Sequence, residues 1–408
     1  MLAHPAGFAQ PGQYTRRVPV LLAALGVLTI SLDAALNIAF PAIAAAFGTD
    51  PTAMRWVIIG YVFTYALTAF AAGVLADRVG PGRVFAAGAW LTLASYAGFL
   101  AVGTSFGALL AVRVVQGLGG GLIYGTAPAL ITLSLPRERH GRGLAMLTLG
   151  MGVGSAVAPP IGGALVDALG WPWVFLFRAP VALLVGVLAV RTALPRTGTG
   201  AWRLPARAEW LRWPVTSALV ATALANGAQF AIWLLAPFYL VRELGLTATA
   251  GAWLFLLCPL GSAVVSPLAG WLADRVGRRG PMVAGLLLQG VALLVFGRFD
   301  PQTPLAVVAA GFAAVGAGLG VFQVPNMAQV MAGFPASRQG AAGGLAFMSR
   351  TLGVVAGVQS AGAIFAALEP RLGFGGAFAA AFTVAAAACG VAAALVALPR
   401  RPAREGAL

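Results

Sequence analysis

Asp33 and Arg113 are the residues with the most chemistry in this chain, because each is a charge set inside a long apolar run. Of eleven acidic residues, Asp33 alone lies deep within such a run. A carboxylate at membrane depth costs about 2.5–3.5 kcal/mol on insertion scales, so it is a functional candidate by default. Asn37 follows one helical turn later and shares its face. Two readings are open. Asp33 and Arg113 form a static ion pair, or Asp33 is a protonation site whose proton affinity rises with desolvation and falls as a cation approaches. Gln116, Tyr124, Asn226, Gln229, Gln323, Asn326 and Arg350 are further polar groups within apolar runs, candidates to line a substrate cavity or to hydrogen-bond between helices. Arg178 lies near the end of its run, where a snorkelling side chain is expected.

The elements that must position these groups are membrane spans. With 60% hydrophobic residues, 9% charged residues and a mean hydropathy of +0.90, the chain lacks the polar residues needed to cover a soluble protein of this size. Apolar runs long enough to cross about 30 Å of hydrocarbon recur at residues 18–45, 54–76, 84–104, 106–134, 144–168 and 173–193, and again at 214–240, 249–273, 281–299, 304–332, 342–367 and 374–397. These are spans 1 to 12. The expected fold is an all-α membrane protein of twelve transmembrane helices in two pseudo-symmetric six-helix bundles, 1–193 and 214–408, joined by a cytoplasmic linker, 194–213.

The halves are a tandem duplication. Gly73-Val74-Leu75-Ala76-Asp77-Arg78-Val79-Gly80 returns as Gly270-Trp271-Leu272-Ala273-Asp274-Arg275-Val276-Gly277, a shift of 197. Extended without gaps, that shift pairs Gly119 with Gly316, Asp33 with Phe230 and Arg113 with Ala310. Both charges therefore break the symmetry that the scaffold residues obey. Two halves of six spans each enter the membrane in the same orientation, with a site expected between them near the midplane. The tails, the linker and the loops after spans 2, 4, 8 and 10 hold 19 of the 26 arginines, whereas the alternate loops hold four. Cationic loops face the cytoplasm, which places both termini on the cytoplasmic side of the cell (inner) membrane.

The repeated Gly-x-Leu-Ala-Asp-Arg-x-Gly resembles the loop 2–3 signature of the major facilitator superfamily. Arg113 to Gly119, Leu32-Asp33 through Asn37 to Pro41, Gly154 to Gly163, Gly318 to Asn326 and Arg338 to Gly353 resemble its drug:proton antiporter branch. The resemblance departs at Ala158, where Gly is usual, at Pro81-Gly82, where a basic residue is usual before Arg83, and at Arg178, where many relatives carry Asn. It implies export of a small hydrophobic or amphipathic compound in exchange for protons by alternating access, with Asp33 and Arg113 coupling the proton. It also implies that Gly73, Asp77, Arg78, Gly80, Arg83, Asp274, Arg275 and Gly277 gate the cytoplasmic side. A solvated ion pair is the plainer reading of those charges. In span 5, Gly150, Gly154, Ala158 and Gly162, with Gly163 and Pro159, leave a bare helix face for close packing.

A facilitator or proton symporter for a metabolite fits the same fold. An intramembrane enzyme does not, since the spans hold no histidine or carboxylate cluster for acid–base chemistry. Cys258 and Cys389 lie in apolar runs as small hydrophobes, so no metal or cofactor is expected. The expected partners are a small-molecule substrate, protons and the lipid bilayer, with the chain a monomer. The net charge of +15 is accounted for by topology and implies no nucleic acid.

Overall fold

The computed structural model of the chain describes residues 17–135, 140–192, 194, 211–334 and 339–398. Most of the linker and both terminal tails lie outside these residues, as does the Asp77 side chain. Among the described residues, eleven helices are long and apolar enough to cross a membrane. The last runs Gln339–Ala397 and is non-helical at Gly373, with φ 68° and ψ 178°. A straight helix of 59 residues would be almost 90 Å long, far beyond one crossing, so the break at Gly373 separates spans 11 and 12.

Span 1 is the irregular one. Its helix Arg17–Ser31 tightens into a 3-10 turn at Leu32–Ala34, continues through Ala35–Ile38 and restarts at Phe40–Phe47. Spans 2 to 5 are Met54–Val79, Pro81–Gly98, Phe106–Ser134 and His140–Leu169. Span 6 is a short turn, Trp173–Leu176, followed by Ala179–Arg191. Span 7 is Trp213–Phe238 with a π-helical end, Tyr239–Glu243, and spans 8 to 10 are Ala248–Val276, Arg279–Phe296 and Leu305–Ala332. Gly80 and Gly277, with φ of 91° and 86°, make the matching turns after spans 2 and 8, a conformation that side chains with a Cβ disfavour.

Glycines set how closely the spans approach. A Cβ on Gly117 would lie 2.7 Å from the Tyr61 carbonyl oxygen and one on Gly121 2.6 Å from that of Tyr65, so span 4 lies backbone to backbone on span 2. In the second half Gly316 meets the Cys258 carbonyl and Gly320 that of Ser262. Gly119 meets Thr92 just as Gly318 meets Gln289. The pairs Gly117 and Gly316, Gly119 and Gly318, and Gly121 and Gly320 are each 199 apart, which corrects the gapless shift of 197 for this helix. Two more residues separate spans 9 and 10 than separate spans 3 and 4, and Arg113 matches Phe312. Similarly, Gly154 on Leu28 and Gly353 on Ala223 pair Asp33 with Ala228. The charges still have apolar counterparts, but different ones.

The halves meet unevenly. One continuous apolar core joins Leu36–Ala44 and Met54–Ile58 of the first half to Ala228–Phe255 and Val354–Phe382 of the second, all toward the end opposite the termini. At the terminus end each half keeps its own core, one around Leu22, Phe85 and Ile131, the other around Leu219, Phe322 and Ala393. Phe347 of span 11 bridges them, with its ring centroid 5.1 Å from that of Tyr124 and 5.5 Å from that of Tyr65. Large apolar side chains such as Val264, Val276 and Val291 stand more than 60% exposed around the outside, the shell expected where lipid replaces water.

Candidate functional site

Asp33 sits on the 3-10 turn of span 1, a local tightening that inside a long helix often marks a hinge. Span 4 brings Arg113 to it because the Gly117–Gly121 face lets that helix press on span 2. The Arg113 guanidinium grips the carboxylate with both forks, Nη1 donating to Oδ1 at 2.8 Å and Nη2 to Oδ2 at 3.0 Å. Its Nε donates to the Val57 carbonyl at 3.1 Å and its Nη1 to Gln116 Oε1 at 2.7 Å. Gln116 Nε2 donates to Asp33 Oδ1 at 3.1 Å. The Tyr61 ring lies 4.2 Å from the guanidinium carbon, a cation–π contact worth about 2 kcal/mol when desolvated.

A second guanidinium completes the cluster. Arg178 Nη1 donates to Asp33 Oδ1 at 2.6 Å, and Arg178 is wholly buried rather than snorkelling. The break in span 6 explains its course. Pro180 occupies the first turn of the restarted helix, so Arg178 becomes the residue before it and turns inward, with its guanidinium 4.9 Å from the Tyr96 ring. Its Nε and Nη2 have no hydrogen-bond partner among the described residues. Asp33 keeps 15% side-chain exposure against 1% for Arg113 and 0% for Arg178, so the acid is the open edge of the cluster.

The small-residue face of span 5 packs on span 1. A Cβ on Gly150 would meet the Ala24 carbonyl at 2.8 Å, one on Gly154 Ser31 at 2.7 Å and one on Gly162 the Ala35 carbonyl at 2.5 Å. Ala158 is fully buried against Leu32 and Ala35, and Pro159 lies within the continuous helix. Gly163 faces the other half, where a Cβ on it would lie 2.6 Å from the Ala248 carbonyl oxygen. One turn on, the Asp167 carboxylate accepts from the Ala248 and Thr249 amides at 3.1 and 2.8 Å and from the Thr249 hydroxyl at 2.6 Å. The first half thus caps the first turn of span 8 in the second.

The other polar candidates disperse. Asn37 donates to the Ala34 carbonyl at 3.2 Å and stays within its own helix. Tyr124 donates to Met151 Sδ at 3.0 Å. Asn226 donates to the Thr222 carbonyl, Asn326 to the Thr222 hydroxyl and Gln229 to Cys258 Sγ, all inside the second half. Gln323 and Arg350 are half-buried. Arg78, Arg83, Asp274 and Arg275 are exposed, with Arg275 stacked 4.1 Å over Trp271. Gly73 has open space around it. Among the described residues no group of three or more metal-ligating side chains converges.

The family model for the Major Facilitator Superfamily matches residues 22–357 and again 218–408. The chain belongs to that superfamily. It is 28% identical to the uncharacterized transporter YebQ of Escherichia coli, over 86% of this chain and 88% of YebQ. It is 27% identical to the multidrug resistance protein Stp of Mycobacterium tuberculosis, over 88% of this chain and 78% of Stp. A bacterial homolog of the human lysosomal transporter Spinster, solved in an inward-facing and unoccupied conformation, superimposes with a TM-score of 0.75 at 16% identity, covering 96% of this chain and 97% of that one. The chain is therefore a multi-pass membrane transporter and not an enzyme.

Proposed function

We propose that the chain is a proton-coupled carrier that exports a small hydrophobic or amphipathic compound across the cell membrane by alternating access, working as a monomer of two bundles, 1–193 and 214–408. Asp33 takes the proton, and Arg113 and Arg178 hold it in the ionised state until it does. The observation that carries this reading is the exposure gradient: the acid is the accessible member of a cluster whose two cations are buried. Protonating Asp33 would remove the acceptor that both guanidiniums share. Two like charges would then face each other in low dielectric, at a cost of several kcal/mol, and the cluster would have to rearrange. That strain is a lever from proton to conformation.

With the Arg-rich loops cytoplasmic, the joined core lies at the external end and the arrangement is closed outside. The repeated loop motif, Gly73 to Gly80 with Arg83 and Gly270 to Gly277, would engage when the cytoplasmic side closes, which agrees with the exposure of Arg78, Arg83, Asp274 and Arg275. Export is supported by the span 5 motif and by the multidrug relative. Proton symport is the second reading, and the excess of buried cation over acid favours it. The test uses spin labels on opposite halves of detergent-solubilised protein, with distances followed as pH is lowered. Wild type should change its conformational balance, and Asp33→Asn should be pH-insensitive. A variant that keeps the wild-type pH response removes Asp33 from the coupling role.

A further inference from the structure

The charges deep in the spans do not balance. Among the described residues they are one acid, Asp33, and three arginines, Arg113, Arg178 and Arg350. Asp33 shares one carboxylate between Arg113 and Arg178, so the cluster carries an excess positive charge, with both cations buried behind a partly exposed acid. All three nitrogens of Arg113 donate to protein acceptors. Arg178 differs, since its Nε and Nη2 are buried and donate to nothing among the described residues. Buried donors of a charged group left unpaired are costly, and they sit among the rings of Tyr96, Phe175 and Phe177. Toward the terminus end, Arg350 has no salt bridge among the described residues, and it lies about one helical turn after Phe347, whose ring gathers with those of Tyr65 and Tyr124. Arg178 therefore lies beside aromatic faces, and Arg350 lies one turn from an aromatic cluster.

We infer that the cargo of this transporter is an organic anion, an aromatic or amphipathic compound bearing a carboxylate-type group, and that Arg178 is the residue that selects its charge. The inference rests on the proposed role of the Asp33 cluster as the transport site. A planar carboxylate would take up the unused Nε and Nη2 fork of Arg178 in the bidentate manner that suits guanidinium, and its apolar body would meet the rings. The sign of the Asp33 effect follows. An ionised Asp33 competes with an anion for Arg178, and a neutral one does not, so proton and anion bind together. Co-binding is the thermodynamic requirement for symport, which gives the second reading of the function its mechanism.

The probes are three naphthalenes of matched size, 2-naphthoate, 2-naphthamide and 2-naphthylmethylammonium, titrated into the detergent-solubilised full chain by calorimetry. The carboxylate should bind about tenfold or more tighter than the amide, and the ammonium weakest. Asp33→Asn should tighten naphthoate binding and leave the amide unchanged. Arg178→Gln should abolish the preference, while Arg178→Lys, which keeps charge without the fork, should retain part of it and guards against a folding defect in the glutamine variant. Tighter binding of the ammonium in wild type, weaker naphthoate binding in Asp33→Asn, an unchanged preference in Arg178→Gln, or no naphthoate binding at accessible concentrations overturns the inference. Loss of pH-driven switching with the anion preference intact would instead strike only at the proton-coupling proposal.

Discussion

Removing the Asp167 carboxylate should open the end of the molecule opposite the termini. Asp167 belongs to span 5, yet it satisfies the Ala248 and Thr249 amides and the Thr249 hydroxyl at the start of span 8. Thr247 caps the same turn from its own chain position, accepting from Ala250. Cap loss costs about 0.5–2 kcal/mol, and an acid at a helix N-terminus adds about 0.3–1 kcal/mol at exposed sites. Asp167 is exposed, so the lower halves of those ranges apply, about 1 kcal/mol in all, equivalent to roughly a fivefold shift in a two-state ratio. The whole effect falls on the conformational balance, because these bonds exist only while spans 5 and 8 touch. Spin labels at Thr49 and the exposed Arg242, near that end on opposite halves, would read the separation, and the two native cysteines are buried and would not label. Asp167→Ala should raise the long-distance population about fivefold, Thr249→Val by less, and the effect should shrink with salt. An unchanged distance distribution would refute the latch, as would a loss of thermal stability without any change in distance.

Two further predictions follow from packing and charge. Gly316→Ala should lower the melting temperature by several degrees, because its Cβ would overlap the Cys258 carbonyl at an overpacking cost of about 1–3 kcal/mol, whereas Gly73→Ala should not, having open space in this conformation. A reporter fused after residue 200 should be cytoplasmic and one inserted near Thr247 external; opposite labelling would overturn the arginine-bias argument.

Asp33 and Arg113 were legible from sequence because charges inside apolar runs have few reasons to be there, whereas Gln116 was one polar candidate among several until the structure set it beside them. Arg178 was not, since five residues from the start of a run it reads as a snorkelling side chain. The signal was Pro180: a proline in the first turn fixes where a helix begins, and so predicts a break just before it. The polar residues of the second half left two roles open, cavity lining and hydrogen bonding between helices. Gln229 and Asn326 each close a hydrogen bond to a neighbouring helix of their own bundle, in keeping with the second, and Asn226 bonds within its own helix. Only knowledge of the helix faces separates the two cases. The repeat register failed by two residues in span 10 because a motif match in one loop says nothing about insertions in the next.

The same contacts suggest how a proton on Asp33 could reach the latch. Asp33 and Ala35 share the irregular segment of span 1. The backbone of Ala35 lies against Gly162, Gly163 lies against the start of span 8, and Asp167 follows within about 8 Å along the same helix. No side chain cushions the Gly162 contact, so a shift of span 1 that relieves two unpaired guanidiniums must move span 5 or part from it. Spatial continuity alone is not evidence of coupling; a double-variant cycle supplies it. If span 5 transmits the change, Asp33→Asn and Asp167→Ala bias one equilibrium by a common route, and the double variant should open the molecule by less than the product of the two single effects. Effects that multiply within error would mean that the proton site and the latch act independently, and the route through Gly162 would fall.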